Sequence, residues 1–358
     1  MSKKTFQFIV LSACLLAFSP AFGQNFVVGK FGGDFLSVGG GARPLGMGSA
    51  FVAISDDVTA GYWNPAGLTQ VDNLQAVYMH SERFSGIVSY DYGAAALPIK
   101  QSNGVIGISF FRQSVDDIKN TLGFSVVDGN PPNIDEFPEF STYDLAFFLS
   151  YADRINENVS WGLNGKILNQ SIGPFADAWG YSLDVAFLYR NNGFSWGLNL
   201  MDITTMLKFW DVNSDNLSEL EENFNDVVPE GQNELVLPTI KTGAAKTFGI
   251  GEFDLTAALD ADLRFENRQT FYINVGKMSI EPHLGTEFVY KDIIALRAGL
   301  TDFFTDQSSK LFVSPTFGAG LNFKALNIDY GFGNFSGLSD DLGTIHRISL
   351  LVKLDPNF

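Results

Sequence analysis

The sequence predicts an all-β fold, a 14-stranded antiparallel transmembrane β-barrel, and three observations support this prediction. Stretches of roughly ten residues alternate between apolar and polar side chains from about residue 74 to residue 354. The links between these stretches alternate between short and long. The chain also opens with a segment typical of secretion signals. Because successive side chains on a strand point to opposite faces, one face is apolar and the other polar, as a wall between lipid and a polar lumen requires.

The stretch 253–265 shows the alternation clearly. Its apolar positions are Phe253, Leu255, Ala257, Leu259, Ala261, Leu263 and Phe265, and the positions between them include Asp254, Asp260, Asp262, Arg264 and Glu266. Applied to all strands, the same alternation predicts inward-facing charged residues of both signs, which we expect to pair across the lumen. They are Lys166, Asp184, Asp260, Asp262, Arg264, Glu281, His283, Glu287, Arg297 and Asp329.

Alternation and turn signals together predict the strands in order. They are 73–81, 87–98, 105–114, 142–153, 159–170, 179–190, 194–203, 237–248, 253–265, 279–290, 293–302, 313–324, 326–334 and 345–354. These are fourteen strands, and a single-chain bacterial barrel has an even number.

The links give a second argument for the barrel. The short links are 99–104, 154–158, 191–193, 249–252, 291–292 and 325, and the longer ones are 115–141, 171–178, 204–236, 267–279 and 303–312. Outer-membrane barrels have short periplasmic turns and longer extracellular loops. A large soluble β-sandwich, the alternative fold, has no reason to keep this rhythm.

Composition excludes several classes of protein. The chain has 36 Gly and 34 Phe, a formal net charge of −17 and a pI near 4.5. Nucleic-acid binding depends on basic patches, so we expect no nucleic-acid partner. The mean hydropathy is only +0.08. After the N-terminal segment, no apolar run reaches the about 18 residues that a membrane-spanning helix needs.

Residues 1–23 are predicted to be a signal peptide. Lys3 and Lys4 form its positive start, an apolar core follows, and 21–23 is a small-x-small cleavage site. Cys14, the only cysteine, lies within this segment. Residues 11–14 also resemble a lipoprotein cleavage box, but the apolar core continues beyond them to a conventional site. We therefore expect a mature chain without cysteine, exported to the bacterial outer membrane.

Residues 24–72 do not alternate and are rich in glycine, which predicts an N-terminal plug of short helices and turns inside a barrel formed by 73–358. The residues that characterise the plug are Gly41, Arg43, Gly46, Met47, Gly48, Asp56, Asp57, Asn64, Pro65 and Gly67. The sequence Asn64-Pro65-Ala66-Gly67 is typical of a turn before the first wall strand.

This segment, followed by the predicted wall, resembles the PorV/PorQ family within the wider class of FadL-like barrels. The resemblance implies a fourteen-stranded barrel with an N-terminal hatch. It also implies a non-catalytic component of the type IX secretion system that docks a large translocon barrel, the C-terminal domains of secreted cargo proteins, or both. The alternative function is a FadL-type channel for uptake of hydrophobic small molecules.

Two predicted outer loops, 115–141 and 204–236, combine acidic residues with aromatic ones. Interleaved aromatic side chains are typical anchors of protein interfaces. The candidate docking residues are Phe137, Phe140, Phe209, Trp210 and Phe224. A loop that is merely acidic and solvated is the alternative interpretation.

No motif for catalysis, a cofactor or a metal is evident. The glycine-rich stretch 41–48 lacks the Lys-Ser/Thr that completes a phosphate-binding loop. The three histidines, His80, His283 and His346, lie on separate predicted strands, without metal-ligand spacing. An outer-membrane hydrolase remains a third hypothesis, but no serine is marked as a nucleophile. We therefore expect a protein that is not an enzyme and has no cofactor. We expect outer-membrane lipid to be one of its partners.

Overall fold

The computed structural model describes residues 26–29, 32–99, 102–122, 133–218, 231–266, 273–305, 311–334 and 344–354. The predicted signal peptide lies outside these residues, as do Phe224 and the C-terminal residue Phe358. Within the described ranges, no helix has the length and apolar character needed to cross a membrane.

One sheet contains every described strand, and it closes on itself because the last strand pairs antiparallel with the first wall strand. The strands are β1 (Phe26–Val28), β2 (Leu74–Arg83), β3 (Val88–Pro98), β4 (Val105–Lys119), β5 (Glu139–Arg154), β6 (Val159–Ile172), β7 (Ala176–Asn191), β8 (Phe194–Met201), β9 (Met206–Val212), β10 (Asn233–Val236), β11 (Thr239–Ile250), β12 (Phe253–Arg264), β13 (Ile273–Val275), β14 (Met278–Tyr290), β15 (Ile294–Thr305), β16 (Leu311–Asn322), β17 (Leu326–Asn334) and β18 (Thr344–Leu354).

The circuit of the wall contains fourteen strands among the described residues. β8 and β9 follow one another along the same neighbour, β7, and together form one wall strand. β10 and β11 likewise form one wall strand. The short strands β1 and β13 pair with β10 and β14 and are not counted as wall strands. The predicted fold class, a fourteen-stranded antiparallel barrel with an N-terminal plug, is therefore confirmed.

Several strands extend further than the sequence predicted, so some links are shorter. The predicted long link 171–178 is a turn of residues 173–175, because Ser171 and Ile172 still pair with Asp177 and Ala176. Alternation stops before the hydrogen-bonded ladder does. We call the end of the barrel with the short links 99–104, 155–158 and 192–193 the turn end, and the opposite end the loop end.

The two faces of the wall differ as predicted. Outward side chains such as Phe147 and Leu149 are 53% and 63% exposed, although both are large and apolar. Their neighbours Phe148 and Ser150 point inward and are buried. The inward placement of the predicted charged residues is confirmed, because nearly all are buried. An apolar band this continuous is what a membrane-facing surface requires.

The plug lies inside the barrel and consists of three short helices and a 3₁₀ segment. These are α1 (Asp34–Ser37), α2 (Ala42–Gly46), α3 (Ala60–Trp63) and the 3₁₀ segment Pro65–Gln70. Helix α2 packs on β15, β16, β17 and β18, and the 3₁₀ segment packs on β4, β5, β6 and β7. Most plug residues from 35 to 71 are buried, so the plug forms one core with the inner face of the wall.

The wall is interrupted at one level of the β8–β9 and β10–β11 strands. Met201 pairs with Thr239 and Met206 pairs with Val236, so four residues (202–205) stand opposite only two (237–238). Asp202 and Thr205 have positive φ angles of 54° and 58°. We call residues 202–205 and 237–238 the wall break.

Two short strands lie beside the loop end of the wall. β1 pairs parallel with β10, on the edge that β12 leaves free when it ends at Arg264. β13 pairs with β14 where the ladder between β14 and β15 has stopped at the pair Leu284↔Leu300.

Candidate functional site: the plug and the wall around it

The plug is held at the turn end by a network of ion pairs around Arg43. The guanidinium of Arg43 donates from Nε and Nη2 to the two carboxylate oxygens of Glu287, at 2.9 Å each. Its Nη1 lies 2.6 Å from Asp56 Oδ1 and 3.5 Å from Asp57 Oδ2. A two-pronged contact of this kind fixes geometry as well as adding energy. Helix α2 is thereby fixed to β14.

The network continues along the wall from Glu287. Arg297 donates to Glu287 Oε2 at 2.6 Å and to Asp329 Oδ1 at 2.6 Å. Burial raises the pKa of the Asp57 carboxyl above its ordinary value, and the adjacent Arg43 guanidinium opposes that shift. The predicted pairing of inward charges therefore exists, and three of the plug residues, Arg43, Asp56 and Asp57, take part in it.

Polar side chains of β6, β8 and β12 bind the plug backbone directly. Asn164 donates to the Gly61 carbonyl at 2.9 Å, and Asn199 donates to the Trp63 carbonyl at 3.0 Å. Asp260 accepts the Val52 N–H at 2.7 Å. These contacts satisfy buried backbone groups that have no partner within so irregular a segment.

Each residue of the predicted plug motif has a structural reason. Asn64 donates to the carbonyls of Val52 and Phe187 and accepts the Ala66 N–H, which caps the 3₁₀ segment beginning at Pro65. A Cβ on Gly67 would stand 2.4 Å from the Ser55 carbonyl oxygen. Met47 is completely buried.

The plug backbone packs directly against the inner face of the wall at points where the plug residue and the wall residue are both glycine. A Cβ on Gly46 would stand 2.9 Å from Gly318 Cα, and one on Gly299 would stand 2.2 Å from Gly48 N. Gly41 and Gly48 also have φ angles of 98° and 61°, which favour glycine. No side chain fits at these crossings, so the plug and the wall are in backbone contact.

Arg347 on β18 holds the turn that follows helix α1. It is fully buried and donates to the carbonyls of Val38 and Gly39, at 2.6 and 3.1 Å. Arg347 was not among the predicted inward residues, although it alternates with outward-facing His346 and Ile348 and follows the same rule. Lys241 and Asp202 were not predicted either, and both are buried inside the wall.

A second group of inward charges surrounds Lys166. Its ammonium lies 3.2 Å from Asp184 Oδ1 and 2.7 Å from Asp202 Oδ1. Asp184 Oδ1 also accepts the backbone N–H of Asp202 at 2.8 Å. The first residue of the wall break is therefore anchored to the lumen by ion pairs.

One side of the bore is lined by aromatic side chains. Tyr62 of helix α3 contacts Trp63 at a ring-centroid distance of 5.2 Å, Phe148 at 6.0 Å and Phe111 at 6.4 Å. The hydroxyl of Tyr62 donates to the Leu36 carbonyl and so joins α3 to α1. The buried cluster also contains Phe35, Phe51, Tyr90 and Tyr92.

Two cavities adjoin the plug. A polar vestibule of about 1200 Å³ opens at the turn end, between Arg43 and Asp56 of the plug and the turn residues Glu157, Asn192 and Lys291. A much smaller cavity of about 30 Å³ lies at the wall break. Its lining includes Leu36 and Tyr62 from the plug and Met201, Asp202, Val236 and Thr239 from the wall.

The structure separates the predicted docking aromatics into two places. Phe137 is buried, and the ring of Phe140 packs edge-on against Phe175 at 5.2 Å. Phe209 is 38% exposed and contacts Phe26 at 5.9 Å, and Trp210 lies 5.1 Å from the Lys208 ammonium. Phe209 and Trp210 belong to the β9–β10 hairpin at the loop end.

Solved structures of similar fold are barrels of the FadL-like type. A structure titled CymD monoaromatic hydrocarbon channel shares 14% identity, with 90% of this chain and 99% of that chain covered and a TM-score of 0.57. A Pseudomonas aeruginosa FadL homologue shares 12% identity, with coverages of 87% and 98% and a TM-score of 0.50. The Ralstonia pickettii toluene transporter TbuX shares 11%, with coverages of 88% and 98% and a TM-score of 0.50.

These likenesses show the fold: the chain is a FadL-like barrel in architecture. No family model matches the sequence, and no curated protein matches it either. Membership of the PorV/PorQ family therefore stays a prediction from the plug motif.

Proposed function

We propose that this protein is an outer-membrane channel that takes up hydrophobic small molecules, with the plug as its gate. The observation that carries the proposal is the cavity at the wall break. It lies directly behind the one level at which four wall residues face two, and it is bounded on the lumen side by Leu36 and Tyr62. A route from the bore into the lipid would pass through this point.

Apolar surface is present on both sides of the wall break. Inside, Leu36 and Val236 are buried beside Phe35. Outside, Ile203 at the centre of the break is 46% exposed toward the outer face. A hydrophobic solute that leaves the bore here enters hydrocarbon without passing through the polar vestibule. Charged side chains, among them Asp202 and Lys241, also line the small cavity, so the solute has to pass on its apolar side.

The cavity is too small to hold a hydrophobic solute, so transport through it requires the plug to move. A space of about 30 Å³ is smaller than the roughly 150 Å³ that a benzene-sized ligand occupies in a protein interior. The element that bounds it is α1, a helix of four residues held by the Tyr62 hydroxyl and by Arg347. Displacement of α1 enlarges the cavity without breaking the Arg43 network at the other end of the plug.

A deletion tests this route. Removing Ile203 and Thr204 leaves two residues opposite 237–238, so the two strands can run side by side without a break. We expect cells with the wild-type barrel to take up labelled toluene faster than cells without it, and cells with the deletion to lose that gain. A variant with alanine at both positions keeps the break and is the control.

Uptake by the deletion variant at the wild-type rate contradicts the route, and uptake by the wild type no faster than in barrel-free cells contradicts the channel. Normal folding of each variant is checked by its heat-dependent mobility on gels.

A second candidate function, docking in type IX secretion, is favoured by the β9–β10 hairpin. Phe209 is exposed there and Trp210, the next residue, is half-buried, and aromatic side chains at a protein surface are typical interface anchors. In this function the barrel holds a large translocon barrel or the C-terminal domain of a secreted protein, and no catalysis occurs.

Affinity purification from native membranes tests the docking function. We expect a very large barrel or secreted proteins to be isolated with the wild type and lost with a variant carrying alanine at Phe209 and Trp210. Phe317→Ala is the control, because Phe317 is likewise exposed, at 53%, but lies on β16 and not on this hairpin. If the double alanine variant and Phe317→Ala recover the same amounts of partner protein, docking through this hairpin is contradicted.

A further inference from the structure

Asp262, Glu281 and His283 form a compact group on the inner face of β12 and β14. One ligand atom from each lies within 4.8 Å of the others. Asp262 and Glu281 are directly opposite in the ladder, and His283 follows two residues later on the same face as Glu281. The group is almost enclosed, with side-chain exposures of 4%, 12% and 6%.

The hydrogen bonds of His283 determine which ring nitrogen is free. Its Nδ1 lies 3.0 Å from the Gly48 carbonyl oxygen. A carbonyl oxygen only accepts, so the proton is on Nδ1, and the Thr301 hydroxyl at 3.0 Å accepts as well. In the neutral ring the lone pair of Nε2 is then left without a donor, and Nε2 is buried with no hydrogen-bond partner among the described residues.

This free nitrogen points at a carboxylate. Nε2 of His283 lies 3.8 Å from Asp262 Oδ2. Two acceptors that face each other across a buried gap repel, unless a cation stands between them. A histidine that donates its other ring N–H to a backbone carbonyl is the usual arrangement of a metal ligand, because that bond fixes the orientation of the ring.

The surrounding charges also favour a cation. Lys241 lies 2.6 Å from Asp262 Oδ2, and Arg264 lies 3.5 Å from Glu281 Oε2. Asp260 and Asp302 interact electrostatically with His283. Asp34 and Glu266 interact with Arg264, and a third cation, Arg83, interacts with Asp302. Carboxyl groups therefore outnumber cations around the site.

We propose that Asp262, Glu281 and His283 bind one divalent transition-metal ion of the Zn²⁺ type. One imidazole nitrogen and two carboxylate oxygens form a set that zinc accepts, with a water molecule as the fourth ligand. Calcium and magnesium prefer oxygen ligands alone. The carboxylate of Asp262 has lone pairs for both Lys241 and the metal.

The three ligand atoms, which lie within 4.8 Å of one another, must move closer together to hold a metal ion. Ligand atoms around tetrahedral zinc stand roughly 3.4 Å apart when each bond is about 2.1 Å long. The separation of 3.8 Å between Nε2 and Asp262 Oδ2 closes to this value with a shift of a few tenths of an ångström in each side chain. The small cavity at the wall break reaches Lys241 and Arg264 and so leads toward the site.

The consequence of the metal is structural. It joins β12 to the part of β14 that lies beyond the Leu284↔Leu300 pair, where the described β14–β15 ladder has ended. It also fixes His283, which holds the plug at Gly48. The metal therefore secures the wall and the plug to each other, independently of what the barrel transports or docks.

Cobalt titration tests the site. The barrel is purified in detergent without a polyhistidine tag and stripped with a chelator, and Co²⁺ is then added while its visible absorption is recorded. We expect one Co²⁺ per chain, displaced by Zn²⁺. In His283→Asn the new amide nitrogen replaces Nδ1 and keeps the bond to Gly48, but the Nε2 ligand is gone. We expect this variant to bind Co²⁺ more than about tenfold more weakly.

His346→Asn is the control, because His346 is exposed and its ring hydrogen-bonds to the Tyr330 hydroxyl, far from Asp262 and Glu281 along the chain. It should bind Co²⁺ as the wild type does. If His283→Asn fails to fold, Glu281→Gln gives the answer, with the same weakening expected. The proposal is overturned if the wild type gives no cobalt spectrum, or if the folded ligand variant binds as tightly as the wild type.

Discussion

Glu287 is the wall residue through which two arginines, one from the plug and one from the wall, are joined. It accepts from Arg43 of the plug and from Arg297 of the wall. Its own side chain is 6% exposed. Removing the charge of one partner in a buried ion pair leaves the other charges without compensation, which costs more than the pair itself contributes.

We therefore expect Glu287→Gln to lower the free energy of unfolding by about 3–5 kcal/mol. The measurement is urea unfolding of the barrel in lipid vesicles. Glu252→Gln is the matched control, because Glu252 is 61% exposed and 3.1 Å from Lys291, a surface pair worth about 0–1 kcal/mol. Equal losses for the two variants would show that the buried network adds no stability.

Single residues also show how far the sequence could predict the site. Alternation alone places His283 and Glu287 on the inner face, because each lies an even number of residues from other inward positions. It cannot show that Glu287 meets Arg43, which is 244 positions away. That contact depends on the path of the plug, and the plug has no periodic pattern from which a path can be deduced.

The plug crosses β14 and β15 at a contact between backbones. A Cβ on Gly285 would stand 2.4 Å from the Met47 carbonyl oxygen, and one on Gly299 would stand 2.2 Å from Gly48 N. Neither neighbour is a flexible side chain that can turn away. A methyl group here must push the plug from the wall.

For Gly299→Ala we expect a loss of about 1–3 kcal/mol in unfolding free energy. We also expect a higher ion conductance than the wild type shows in planar bilayers, because the displaced plug opens the bore. Gly165→Ala is the control, since the atom nearest to a Cβ at Gly165 is Leu183 Cδ2 at 4.0 Å. A Gly299→Ala barrel with wild-type stability and conductance would refute the close crossing.

Among the elements, regular strands were predicted well and irregular ones were not. The strands β3 and β17 were predicted to within a residue at each end. The strands β9 and β10 were missed, because the four residues of the wall break put the following positions out of phase with β8. A period of two shows a strand only while its register continues.

The molecule as a whole exposes apolar side chains around its wall. If this surface faces lipid, the free-energy cost of replacing one of them by a charged residue depends on its depth in the membrane. Leu149 and Ile155 are 63% and 59% exposed, but Leu149 lies within β5 and Ile155 lies in the turn that follows. In water, arginine at either position would have a similarly small effect.

In lipid vesicles the two substitutions should differ. Leu149→Arg places a charge in the hydrocarbon and should cost about 2–4 kcal/mol, whereas Ile155→Arg lies near the interface and should cost about 0–1 kcal/mol. Urea titration of folding into vesicles measures both. Equal costs would mean that the exposed band does not face lipid.

The parallel pairing of β1 with β10 has a consequence for biogenesis. Phe26–Val28 lies beside the loop end, whereas Leu74 begins the first wall strand at the turn end, so the plug runs through the bore from one mouth to the other. Either the barrel closes around the plug at the β18–β2 seam, or the plug enters the closed barrel through one mouth and reaches the other.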